Sequence, residues 1–120
     1  MSNGHHVLVV EDSTPLSDAF RIMLERSGFR VSVANSMAAA LQVTDKADVL
    51  LLDISLPDGD GIGLIGKLSG LGRTPQFSIA LTGHDDPAIH QRCIDAGCAD
   101  VIVKPIAVTT LVERVRNLLE

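Results

Sequence analysis

Two kinds of segment alternate along this chain. Short runs of β-branched and aliphatic residues are separated by longer stretches in which apolar positions recur every three or four residues. The runs are HVLVV (6–10), RVSVA (30–34), DVLLLDI (48–54), FSIALTG (77–83) and VIVKP (101–105). RVSVA alternates polar and apolar, as an exposed edge strand does, whereas LLLDI is continuous, as a strand covered on both faces is. Between them the spacing predicts five helices. The first opens at Pro15 with Thr14 as N-cap, turns Leu16, Phe20, Met23 and Leu24 inward and ends by Gly28. Ser36 caps the second, which buries Met37, Ala40 and Leu41. The third starts near Gly61 with Ile62, Ile65 and Leu68 inward, and the fourth runs from Pro87 to Gly97, burying Ile89, Cys93 and Ile94. The last, over 107–119, presents Val108, Leu111, Val112, Val115 and Leu119.

Five strand–helix units with right-handed crossovers predict an α/β fold: a single (βα)5 doubly wound sandwich around a five-stranded parallel sheet. At 120 residues there is room for one core, and no linker or low-complexity tract divides residues 1–120, so one domain is expected. Aromatic residues are only 2% of the chain, so aliphatic side chains must fill that core. No apolar run reaches the roughly 20 residues that cross a bilayer, and MSNGHH lacks the features of a secretory leader, which predicts a cytoplasmic protein without membrane insertion. The net charge of −5 argues against direct nucleic-acid binding. Cys93 and Cys98 have neither CxxC nor zinc-ligand spacing and read as reduced structural thiols.

In a doubly wound sheet, ligands sit outside the carboxyl ends of the strands. The first strand delivers Glu11 and Asp12 there, the third Asp53, the fourth Thr82 and the fifth Lys104. Two carboxylates about 4 Å apart repel by roughly 4 kcal/mol at an effective dielectric near 20, and Lys104 supplies only one positive charge. A hard divalent cation, Mg²⁺ above all, would offset the remainder. A metal and a lysine beside a carboxylate point to phosphoryl chemistry, with Asp53 as nucleophile, Thr82 and Lys104 on the phosphoryl oxygens, and room for a donor at Gly83. DGDGIG places Asp58, Asp60 and Gly63 at calcium-loop positions, but Ile62 and Ser69 stand where ligands are needed, so it reads as a turn. His5, His6, His84 and His90 read as surface imidazoles, and Arg92, Arg114 and Arg116 as solvated helix charges.

VLVVEDS, LLLDISLPDGDG, IALTG and VIVKP, in that order, resemble the receiver (CheY-like) domain of bacterial two-component response regulators over essentially the whole chain. The resemblance implies a flavodoxin-like sheet of order 2-1-3-4-5 and a signalling domain that catalyses only its own phosphorylation and dephosphorylation. It implies that Asp53 takes phosphate from the phosphohistidine of a histidine kinase or histidine phosphotransfer protein, with Thr82 and Lys104 as catalytic partners. Asp12, Asp53 and the backbone carbonyl of Ser55 would bind Mg²⁺ directly, and Glu11 through water. A cis Lys104–Pro105 bond, docking through helix 1 and the loop after strand 5, and a dimer through the helix 4, strand 5, helix 5 face follow on the same grounds. Ser55 and His84 would flank the phosphate. The stretch from Ile79 to Ile106 also looks like receivers fused to hybrid histidine kinases. One departure stands out: Val101 occupies the place where the family commonly has an aromatic switch residue.

Three other readings compete. A haloacid-dehalogenase-like aspartyl-phosphate phosphatase needs Asp-x-Asp at the nucleophile, and here Ile54 and Ser55 follow Asp53. A flavodoxin-like FMN carrier needs a phosphate-binding loop where this chain has EDSTP. A degenerate receiver used as a phosphorylation-independent docking module is favoured by Val101 and opposed by the intact acid, threonine and lysine set.

Overall fold

The computed structural model describes residues 4–120, so the part of MSNGHH before Gly4 lies outside the described residues. Five strands, β1 (His6–Val10), β2 (Arg30–Ala34), β3 (Val49–Asp53), β4 (Phe77–Thr82) and β5 (Asp100–Val103), pair in parallel in the order β2-β1-β3-β4-β5. Five helices link them: α1 (Thr14–Arg26), α2 (Met37–Leu41), α3 (Ile62–Gly70), α4 (Pro87–Asp95) and α5 (Val108–Leu119). This is the expected doubly wound sandwich, with the expected strand order.

Side chains alternate across the sheet with period two, and this divides the core. Val7, Val9, Val49, Leu51, Ile79 and Leu81 meet Phe20 and Leu24 of α1 and Leu111, Val112 and Val115 of α5. On the other face, Leu8, Val10, Leu50 and Leu52 meet Met37 and Ala40 of α2 and Leu64 and Leu68 of α3. Ala80 packs with Ile54, Cys93 and Cys98 beneath α4. Every residue of β1 and β3 is buried, while β2 is only part-covered at the edge, as their patterns require.

Several expectations need correction. Thr14 is the first residue of α1 rather than its cap; Ser13 precedes it in extended conformation, and its side chain makes no capping bond because Pro15 leaves one fewer N–H to satisfy. In α3 the fully buried residues are Leu64 and Leu68, while Ile62 and Ile65 are half-buried and pack at the margin of the core, so the inner face is centred on Leu64, which the spacing does not single out. Ile94 lies on the outer side of α4 and is 43% exposed. His6 is buried, not a surface imidazole: its ring lies between the Lys46 carbonyl (3.1 Å) and Ser32 Oγ (2.8 Å), so a polar network at the amino end of β1 satisfies both nitrogens. Arg92 and Arg114 are not simply solvated, because each pairs with a carboxylate, Asp60 and Asp100 respectively, at 2.5 Å.

Other details match. Ser36 caps α2 by accepting from Ala39 N (3.0 Å), and α4 opens at Pro87, with Asp86, not singled out from the sequence, capping it by accepting from Ala88 N (2.9 Å). Gly97 follows α4 with φ +102°, which lets Cys98 N reach back to the Cys93 carbonyl (3.0 Å) and closes the helix. Both thiols are free and buried, and burial pushes Cys98 up to about 11. Among the described residues no helix is long and apolar enough to cross a membrane.

Candidate functional site

Parallel pairing brings the carboxyl ends of β1, β3, β4 and β5 to one rim of the sheet, with Asp53 opposite Leu81 and Thr82 opposite Val103. Four of the expected residues, Glu11, Asp12, Asp53 and Lys104, meet there. Lys104 Nζ donates to Glu11 Oε1 at 2.5 Å and to Asp53 Oδ2 at 3.1 Å, and so bridges the carboxylate just after β1 and the one that ends β3. Asp12 joins them: one oxygen from each of Glu11, Asp12 and Asp53 lies within 4.8 Å of the others. Glu11 and Asp53 are buried and Asp12 is exposed, so the cluster opens to solvent on one side only.

Local bonds fix each acid. Glu11 N donates to the Ala34 carbonyl (3.0 Å), Asn35 Nδ2 donates to the Glu11 carbonyl (2.8 Å), and Ser13 N donates to Glu11 Oε2 (3.2 Å). Asp53 Oδ1 accepts from Ser55 N (2.9 Å) in the turn that follows β3. Lys104 N donates to the Thr82 carbonyl (2.7 Å), just before the cis Lys104–Pro105 bond that the resemblance implied.

The charges respond to this crowding. Burial, reinforced by Asp53, pushes the Glu11 carboxyl up to about 7 despite its contact with Lys104. Burial alone would lower the Lys104 ammonium, but its bonds to Glu11 and Asp53 outweigh burial and raise it. One lysine cannot neutralise three carboxylates, and the donors are all oxygen, so the cluster suits a hard divalent cation.

Thr82 is buried at the rim, but its hydroxyl is engaged in its own loop. It accepts from His84 N (3.1 Å) and faces the His84 carbonyl (3.4 Å). Ser55 and His84 line an open cavity of about 370 Å³, together with Ile54, Asp60, Ile89 and Arg92. Ser55 lies in a short antiparallel hairpin, Ser55–Leu56 with Gly59–Asp60. The DGDG segment is therefore a turn, as its failed calcium pattern suggested.

Three positioning residues escaped the sequence reading. Asn35 was invisible because it acts through a backbone carbonyl 24 positions away. Asp58 accepts from Met37 N (2.9 Å) and Ala38 N (3.0 Å), tying the hairpin to the start of α2 and holding its own carboxyl below the usual range. Gly61 packs against the Asp53 backbone so tightly that a Cβ would lie 2.4 Å from the Asp53 carbonyl oxygen. The doubled glycines of DGDG were the only hint of that approach.

The model of the response regulator receiver domain matches residues 7–116. The chain belongs to that family. Receiver relatives include the transcriptional regulatory protein KdpE of Mycobacterium tuberculosis, 34% identical over 112 residues that make up 92% of this chain and 49% of that one. A cyclic di-GMP phosphodiesterase of Thermotoga maritima is 34% identical over 83% of this chain and 27% of its own length. This receiver thus spans about half the length, or less, of such curated relatives. Among solved structures, a CheY-like receiver from Methanospirillum hungatei superposes with TM-score 0.87 at 27% identity, covering 98% of this chain and 94% of that one. The protein is thus a receiver domain of two-component response regulators, a signalling module with an acidic pocket suited to a phosphoacceptor aspartate.

Proposed function

We propose that Asp53 is the phosphoacceptor. A carboxylate oxygen of Asp53 attacks phosphorus, the bond from phosphorus to the donor's imidazole nitrogen breaks, the nitrogen leaves with its electron pair, and an acyl phosphate results. The observation that carries this reading is the Lys104 ammonium held 3.1 Å from Asp53 Oδ2, where it can balance charge on an incoming phosphoryl oxygen. Thr82 would supply the second contact once its hydroxyl leaves the His84 turn. Asp12, Asp53 and the Ser55 carbonyl would hold Mg²⁺, with Glu11 through water. When bound, that ion supplies charge neutralisation on the phosphoryl oxygens.

Residues 1–120 would act as one unit, taking phosphate from a histidine kinase or histidine phosphotransfer protein in the cytoplasm, without binding nucleic acid itself and without turning over a substrate. Ile54 and Ser55 after the nucleophile support this against a dehalogenase-type phosphatase. Dimerisation would use the face formed by α4, β5 and α5, where Asp100 and Arg114 already pair.

Incubation with Mg²⁺ and acetyl phosphate should add one phosphate by intact mass, and Asp53→Asn should add none. A parent protein that takes up nothing, or a variant that still does, overturns the assignment.

A further inference from the structure

The hairpin after Asp53 is rigidly referenced to it. Gly61 presses on the Asp53 carbonyl, and Gly61 N donates to the Ile54 carbonyl at 2.8 Å. One residue earlier, Asp60 accepts from Ile62 N with Oδ1 (3.0 Å) and from Arg92 Nη2 with Oδ2 (2.5 Å). The Asp53 backbone thus packs against the residue that follows Asp60, and Arg92 ties the Asp60 carboxylate to α4. Helix α4 has few other ties. Cys93 is its only buried residue, Ile89 is half-buried, and Ile94 faces solvent. An element with so few apolar anchors opens and shifts easily, so one ion pair weighs more there than in a well-packed helix.

The alternative route through β5 is poorly equipped. Val101 is half-buried against the cluster of Ile54, Ala80, Cys93 and Cys98. A short β-branched side chain stiff at χ1 has no large group to swing between buried and exposed positions.

We propose that Asp60 and Arg92 form a latch that holds α4 against the hairpin in the unphosphorylated protein and passes displacement of the Asp53 loop to α4 on phosphorylation. The second half of this proposal rests on Asp53 being the phosphoacceptor; the first does not.

Amide hydrogen exchange tests both halves on the full chain. Asp60→Asn keeps an acceptor for Ile62 N and loses the ion pair, Arg92→Gln loses it from the other side, and Arg92→Lys preserves the charge. Without phosphate donor, the first two variants should exchange about two- to fivefold faster than the parent at the amides of residues 55–62 and 88–96, Pro57 aside, a range set by exposed ion pairs, with Arg92→Lys closer to the parent. Parent-like rates in both overturn the latch. With Mg²⁺ and acetyl phosphate, and with phosphate uptake checked by intact mass, the phosphorylation-dependent change in exchange across α4 should fall by at least half in Asp60→Asn and Arg92→Gln at equal phosphate content. A full-sized change in both overturns the transmission role. A parent that takes up no phosphate overturns the reading of Asp53 and with it transmission, while the donor-free arm still decides the latch.

Discussion

Lys104 Nζ meets Glu11 Oε1 at 2.5 Å across 93 positions of sequence, and the same ammonium reaches Asp53. The site's single cation is therefore shared between an acid of β1's exit loop and the acid at the end of β3.

Lys104→Met should slow phosphate uptake from acetyl phosphate by about 10²-fold, the usual cost of removing one preorganised charge-stabilising group. Timed intact-mass spectra measure it. Uptake at the parental rate would show that Lys104 only offsets Glu11.

Glu11 titrates in the folded protein near 7, against an ordinary 4.5. Between those values the folded state binds more protons than the unfolded one, so stability falls as pH rises through this window and levels off above it. Urea midpoints should drop between about pH 4.5 and 7 by roughly 1–2 kcal/mol equivalent, less than the full shift because Glu11 shares its site with interacting charges. Glu11→Gln should flatten that slope, and saturating Mg²⁺ should oppose it. Lys104, raised above its usual range, stabilises at every pH below it and loses that contribution only in strong alkali.

Gly61→Ala should destabilise the fold by about 2–4 kcal/mol and abolish phosphate uptake, because its methyl group would meet the Asp53 carbonyl at 2.4 Å and the Ile54 Cα at 3.0 Å, both backbone atoms that cannot step aside. Chemical denaturation combined with intact mass separates the two effects. Gly66→Ala, with nothing within 4 Å, serves as the control and should be neutral or slightly stabilising.

Leu64→Ala should cost about 2–5 kcal/mol as a large-to-small change in a sealed core, whereas Ile94→Ala should stay within about 0.5 kcal/mol. Equal losses at the two positions would contradict the helix orientations described above.

Most of the sheet was legible because its strands write their environment directly: an alternating RVSVA for the edge, an unbroken LLLD for the middle. The meeting of Glu11, Asp12, Asp53 and Lys104 was legible for a related reason. A charged side chain at the end of a buried strand needs a partner, and parallel pairing brings those ends together. Helix orientation was harder to read in α3 and α4, whose short, glycine-rich or sparsely apolar sequences allow more than one inward face; Leu64 and Ile94 show the outcome. His6 deceived because a lone imidazole carries no pattern, and only the distant Ser32 and the Lys46 carbonyl explain its burial. Asn35, Asp58 and Gly61 act on backbone atoms, which no side-chain spacing reveals.

The clamp from Ala34 and Asn35 onto Glu11 stitches the acidic loop to the outermost strand of the sheet. Peeling back that edge alone would release both bonds to the Glu11 backbone while Asp53 stayed paired on an interior strand, so one acid of the cluster leans on the sheet's least protected border.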